Sequence, residues 1–233
     1  MALSVRRRSW FLDFYRSDVG KKWVMAITGI VGLAYVLFHM IGNLKIFLGA
    51  AEINAYAEWL REFPEPLLPR GVFLWMVRAG LLVALLLHVH AATALTITNW
   101  RARPVSYESP RSYLVANYAS RTMRWSGVIV LLFIAYHLAH VTFGIAHPDF
   151  VAGDVHHNMI RGFQSWPVAI AYIVAMIALG FHIFHGAWSM FQSLGINHPT
   201  FNPWRRWFAG LFALVIVVGN ISMPILIVTG AVS

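Results

Sequence analysis

Seven of the eleven histidines stand in or near stretches otherwise made of Leu, Ile, Val, Ala and Phe: His39, His88, His90, His137, His140, His182 and His185. An imidazole in such surroundings needs a reason, because a polar group taken into an apolar medium without a partner costs free energy. One intramembrane histidine is satisfied by a hydrogen bond to a neighbouring helix. Repetition over four separate apolar stretches points instead to the other use of a neutral imidazole, metal ligation through a ring nitrogen. The chain contains no cysteine. That excludes disulfides, thiolate-held iron–sulfur clusters, thiolate-ligated haem and covalent c-type attachment. Acids are missing from the same stretches, which removes di-iron carboxylate chemistry. Zinc or copper would want ligands clustered at one level, usually with carboxylate or thiolate among them. Two imidazoles across one iron remain.

The elements that must carry these residues follow from composition. Of 233 residues, 59% are hydrophobic and 12% charged, about half the charged share of a soluble domain. Five apolar runs, near residues 23–48, 72–99, 123–146, 167–194 and 207–228, are each long enough to cross a hydrocarbon layer of roughly 30 Å as a helix. The expected fold class is an all-α integral membrane protein in one domain, 1–233. Four histidine-bearing helices form the cofactor-binding core, and a fifth, with Gly210, Gly219 and Pro224 but no histidine, packs beside them. Residues 1–20 precede the first run, and SWFLDFYRSDVGKK alternates aromatic with charged residues as an interfacial segment does.

A net charge of +9 could signal a nucleic-acid partner. The distribution argues against it, because the basic residues gather between apolar runs. Arg6, Arg7, Arg8, Arg16, Lys21 and Lys22 precede the first run. Arg101, Arg103, Arg111, Arg121 and Arg124 lie around the second connection, and Arg205 and Arg206 in the fourth. Glu52, Glu58, Glu62, Glu65, Asp149 and Asp154 occupy the opposite side. The positive-inside rule then places the N-terminus in the cytoplasm and the C-terminus outside.

Helix rise turns positions into depths. His39 and His137 fall roughly 20–25 Å from the cytoplasmic ends of their helices, and His88 and His182 about 15–20 Å from theirs. Each pair joins helices of one direction, giving an outer and an inner site for b-type haem with two axial histidines. A short repeat runs alongside. TGIVGLAYVLFH and SGVIVLLFIAYH put Thr28–Gly29 and Ser126–Gly127 ahead of His39 and His137, while LLHVHAA and GFHIFHGA put Ala92 and Gly186 four residues after His88 and His182. Small residues at that spacing let a flat group lie against a helix. His90, His140 and His185 stay open as second candidates on their helices. Arg78 and Arg124 are candidates for propionate contact at the outer and inner sites. Asn43, Lys45 and His140, or Ser17 and Lys21, are polar candidates for a quinone. His156 and His157 read as part of a solvated loop.

Several segments in order, GKKWVMAITG, FHMIGNLKIFLG, INAYAEWLR, LHVHAATALTITNWRARP, SRTMRWSGVIVLLFIAYHLAH and FHIFHGAWSMFQSLGIN, resemble the cytochrome b anchor of succinate:quinone oxidoreductases, in the single-anchor, two-haem branch. The resemblance implies axial ligands His39, His137, His88 and His182, with His88 preferred to His90. It implies two haem b groups, a quinone (menaquinone in this branch), and flavoprotein and iron–sulfur subunits docked on the cytoplasmic face of a bacterial membrane. Succinate would be oxidised on the partners, with no such site on this chain. A related fumarate reductase branch carries a glutamate two residues before the fourth ligand, where this chain has Gly180, and that departure favours succinate oxidation. A di-haem subunit of a hydrogenase or formate dehydrogenase is the alternative of similar build, and a haem-free histidine-rich transporter the alternative of another class.

Overall fold

The computed structural model describes residues 9–102, 118–200 and 202–233, with the side chains of 118–121 left aside. Arg6, Arg7, Arg8, Arg103 and Arg111 of the charge pattern lie outside the described residues, as does the side chain of Arg121. The chain is helical, with no strand among the described residues. In order the helices are α1 (Trp10–Arg16), α2 (Asp18–Asn43), α3 (Ala50–Glu62), α4 (Val72–Arg101), α5 (Tyr118–His137), α6 (Val155–Phe163), α7 (Trp166–Ser193) and α8 (Asn202–Val228). A 3-10 turn, Leu44–Leu48, extends α2, and a π-helical turn, Leu138–Thr142, extends α5. Five of these units are long and apolar enough to cross a membrane: Asp18–Leu48, Val72–Arg101, Thr122–Thr142, Trp166–Ser193 and Asn202–Val228. The third stops at Thr142 rather than near residue 146, because Gly144 takes φ of 70° and its face is pressed by Phe150.

Packed neighbours run in the order α4–α2–α7–α5, and α8 lies against α7 and α2. The fit of α8 depends on glycine. A Cβ on Gly219 would run into Met40 of α2, and one on Gly180 of α7 would run into Val217 of α8. Around these contacts Met40, Ile183, Ala213 and Ile216 form one buried cluster. Gly180 therefore belongs to the seam with the fifth helix. Pro224 sits inside α8 and is buried there.

Two short helices were not expected. INAYAEWLR lies in α3 instead of a loop, and His156 and His157 lie in the first turn of α6 instead of a polar connection. Both helices are too short and too polar to show as spans; their amphipathic faces bury only against each other and the bundle end. Ile53 of α3 and Met159, Ile160 and Phe163 of α6 join Ile46, Tyr172, Met223 and Ile227 in the larger buried cluster. Asn54 links the two helices: its amide donates to Asp154 Oδ1 at 3.0 Å, and its Oδ1 accepts from His156 N–H at 3.0 Å. Asp154 is the N-cap of α6, accepting from His157 N–H at 2.9 Å. At the opposite end α1 packs on Gly20, and Ser17 caps α2, accepting from Gly20 N–H at 2.9 Å.

Two predictions follow from this packing. The His157 N–H, and next the Asn54 amide, hold the Asp154 carboxyl below the usual carboxylate range. Its contribution is present above its unfolded value and disappears as pH falls through the lower folded one. Asp154→Ala should lower stability in detergent by about 1–2 kcal/mol at neutral pH, and the difference from the parent should vanish on acidification. Gly180→Glu should overpack the α7–α8 seam and cost about 1–3 kcal/mol, read as a lower thermal midpoint.

Candidate functional site

The four expected ligand positions meet in two pairs, and each pair reaches across the packing order. His39 of α2 and His137 of α5 have ring centroids 5.8 Å apart with planes at 89°. His88 of α4 and His182 of α7 have centroids 6.3 Å apart with planes at 60°. Packed helix pairs are α2–α4 and α5–α7, so the histidines join α2 to α5 and α4 to α7. Histidine–metal bonds are about 2.0 Å, and the ring centre lies roughly 1 Å behind the nitrogen. Two imidazoles on opposite sides of one iron therefore have centres about 6 Å apart. Both pairs sit near that separation. Among the described residues no group of three or more His, Cys, Asp or Glu could hold a metal ion.

The hydroxyl–glycine repeat does its work on neighbouring helices. Thr28 of α2 lies against His88 of α4, with Oγ1 3.1 Å from Nδ1. The Thr28 hydroxyl donates its single hydrogen to the Val24 carbonyl at 2.7 Å. It must then accept from His88 Nδ1–H, which leaves the lone pair on Nε2. A Cβ at Gly29 would be 3.8 Å from His88 Cε1, and one at Gly127 of α5 would be 3.3 Å from His182 Cε1. Ser126 repeats the Thr28 position, buried and donating to the Met123 carbonyl at 2.9 Å. His182 Nδ1 is buried beside the Met123 carbonyl, without a hydrogen bond of good geometry.

The second candidates on each helix have other neighbours, and His140 Nε2 and His185 Nδ1 are buried without a hydrogen-bond partner. His90 turns to α1, where the Tyr15 hydroxyl lies 2.6 Å from its Nδ1. His140 is fully buried in the π-helical turn, 3.0 Å from the Tyr172 hydroxyl and stacked on His147 at 4.9 Å. His185 meets Trp188 edge-on at 5.9 Å. Ser17 and Lys21 are occupied at the α1–α2 joint, Lys21 donating to the Arg16 carbonyl at 2.9 Å. Lys45 lies 5.5 Å from the centre of the Tyr56 ring.

Arg78 lies near the His39 pair: Tyr35 stacks on His39 at 5.2 Å and feels the Arg78 charge. The same guanidinium lies over Trp75 at 4.9 Å. It shares a cleft of about 310 Å³ with Arg61, Arg70, Gly71, Leu74 and Trp75. Arg61 and Arg70 went unnoticed in the sequence because they sit in a polar connection beside Glu58, to which both are paired. Only the fold brings them to Arg78. Arg124 is exposed and lies 5.5 Å over Trp100, at the rim between α4 and α5. Arg205 is a different kind of residue from the flanking charge expected of it. It is 1% exposed and donates to the Ile196 carbonyl at 2.8 Å and to the Asn197 side chain at 3.2 Å, with Asn202 also bound.

A sequence model of the family described as succinate dehydrogenase/fumarate reductase transmembrane subunit matches residues 101–221. That stretch is more than half of the chain and carries His137 and His182, one member of each pair. No curated protein and no solved structure matches the chain. The chain belongs to the succinate dehydrogenase/fumarate reductase transmembrane subunit family.

Proposed function

We propose that this member of the family is a di-haem b membrane anchor of succinate dehydrogenase, passing electrons from succinate oxidised on partner subunits to a membrane quinone. The observation that carries the reading is the meeting of His39 with His137 and of His88 with His182 at two levels of one apolar bundle. Bound haem b supplies one-electron transfer at a potential set by axial ligation, burial and hydrogen bonding. The rest is supplied by the chain's own side chains. His88 and His182 hold the inner iron, and Thr28 keeps His88 in the tautomer that ligates. His39 and His137 hold the outer iron, with Tyr35 stacked on His39. Gly127 leaves the His182 ring its space, and the apolar helix walls keep water away.

Arg78, with Arg61 and Arg70 in the same cleft, supplies positive charge for the outer propionates, and Arg124 does so for the inner ones. The basic side, with the N-terminus, faces the cytoplasm of a bacterial cell. A flavoprotein and an iron–sulfur subunit dock there, nearest the His88–His182 level. The quinone is menaquinone by resemblance to the two-haem branch. Succinate oxidation is preferred to fumarate reduction by resemblance alone, since position 180 carries glycine where the related branch carries glutamate.

Purification of the intact complex from its own membrane should give a b-type absorbance spectrum and a haem-to-chain ratio near two, with a flavoprotein and an iron–sulfur protein co-purifying. Absence of haem from haem-replete cells would sink the reading. Co-purification with hydrogenase or formate dehydrogenase subunits would move it to the other quinone-linked enzymes. Within the complex, His88→Ala should remove one haem. His90→Ala, which only releases Tyr15, should retain both.

A further inference from the structure

We infer that Tyr172 is the positioning residue of the outer iron ligand, accepting a hydrogen bond from His137 Nδ1–H and passing its own hydrogen to His140. The inference rests on the haem reading above. Tyr172 of α7 is buried at 6% exposure. Its ring is fixed by edge-on contacts with Phe133 at 4.9 Å and Phe163 at 4.7 Å. The hydroxyl lies 3.3 Å from His137 Nδ1 and 3.0 Å from His140 Nδ1.

One hydroxyl hydrogen can serve only one of these two nitrogens, so the contact has a direction. If the hydrogen went to His137, the lone pair of that ring would sit on Nδ1 and its proton on Nε2, closing Nε2 to a metal. If it goes to His140, His137 keeps its proton on Nδ1 and offers Nε2 to iron. The shorter distance is the one to His140. His140 then carries its own hydrogen on Nε2, which is buried against Gly162 and His147 without a hydrogen-bond partner. His147, stacked on it, donates from Nε2 to the Asn158 carbonyl at 2.8 Å and accepts the Asp149 N–H on Nδ1 at 3.1 Å. That fixes His147 as a neutral ring. Tyr136 stacks on His140 at 5.5 Å, and Gly162 leaves His140 its space: a Cβ there would be 3.0 Å from Nε2.

The inner pair has the same device in a smaller form, where Thr28 accepts from His88. At the outer pair the acceptor is a phenol polarised by a further imidazole. An acceptor on the distal N–H makes a metal-bound histidine more basic, which favours the oxidised iron. A donor–acceptor chain polarises each of its links, so His140 acts on the iron through Tyr172.

The test is redox titration of the complete complex, in which the outer haem is identified as the one lost in His39→Ala. Tyr172→Phe keeps the ring and its packing, and should raise the midpoint potential of the outer haem while leaving the inner one unmoved. His140→Leu should move the same haem in the same direction by a smaller amount. If Tyr172→Phe does not assemble, the His140→Leu shift decides alone: a shift confined to the outer haem upholds the inference and no shift overturns it. Two haems with both potentials unmoved in Tyr172→Phe would overturn it and leave the haem reading intact. Lack of haem in the unsubstituted complex would take down both.

Discussion

The structure turns on the difficulty of keeping an imidazole in an apolar bundle. Each ring placed there gives up water and must be repaid by a partner, at a penalty of about 1–3 kcal/mol for each polar atom left alone. Four helices accept that penalty at once, and they do so in register, so that the rings find each other across the bundle rather than along the packed seams. Thr28, Tyr15, Tyr172 and the Asn158 carbonyl absorb the polar atoms that face away from the pairs. Of the second histidines, His90 and His140 each find a tyrosine hydroxyl in this way, while His185 packs on Trp188.

The remaining helices make this arrangement possible. α8 carries no ligand, yet it clamps α7 against α2 through glycine contacts at Gly180 and Gly219. α3 and α6 close one end with a buried cluster that reaches to Tyr172, tying the outer histidines to the best-packed part of the chain. α4 is held differently: it packs on α2 and α3, with Ala91 as its buried residue. Its link to α7 is through the ring of His88.

Much of this was legible in the sequence, because hydrophobic length and helix rise are enough to place residues in depth. The five spans and the level of each histidine follow from counting alone. Counting fails where the third dimension decides. Thr28 reads as a feature of its own helix, but it serves the His88 ring on a neighbour. Gly180 reads as an absent acid near the fourth ligand, and the fold shows it as a close-packing point against α8. The helices α3 and α6 are polar and short, so no window of apolar residues marks them, and the π-helical turn that buries His140 leaves no mark in the residue pattern. Arg61 and Arg70 lie 17 and 8 positions before Arg78, outside the helix that carries it, so helical periodicity does not associate them with it.

The buried Arg205 bears on how the protein enters its membrane. Its guanidinium ties the start of α8 to Ile196 and Asn197, residues of the turn after α7. A charge sequestered in this way is expensive to drag through lipid, and the bonds that hold it form within a dozen residues of chain. The last two spans can thus close into a hairpin by contacts of their own, and the hairpin brings one of the four paired histidines, His182, with it to the other three spans.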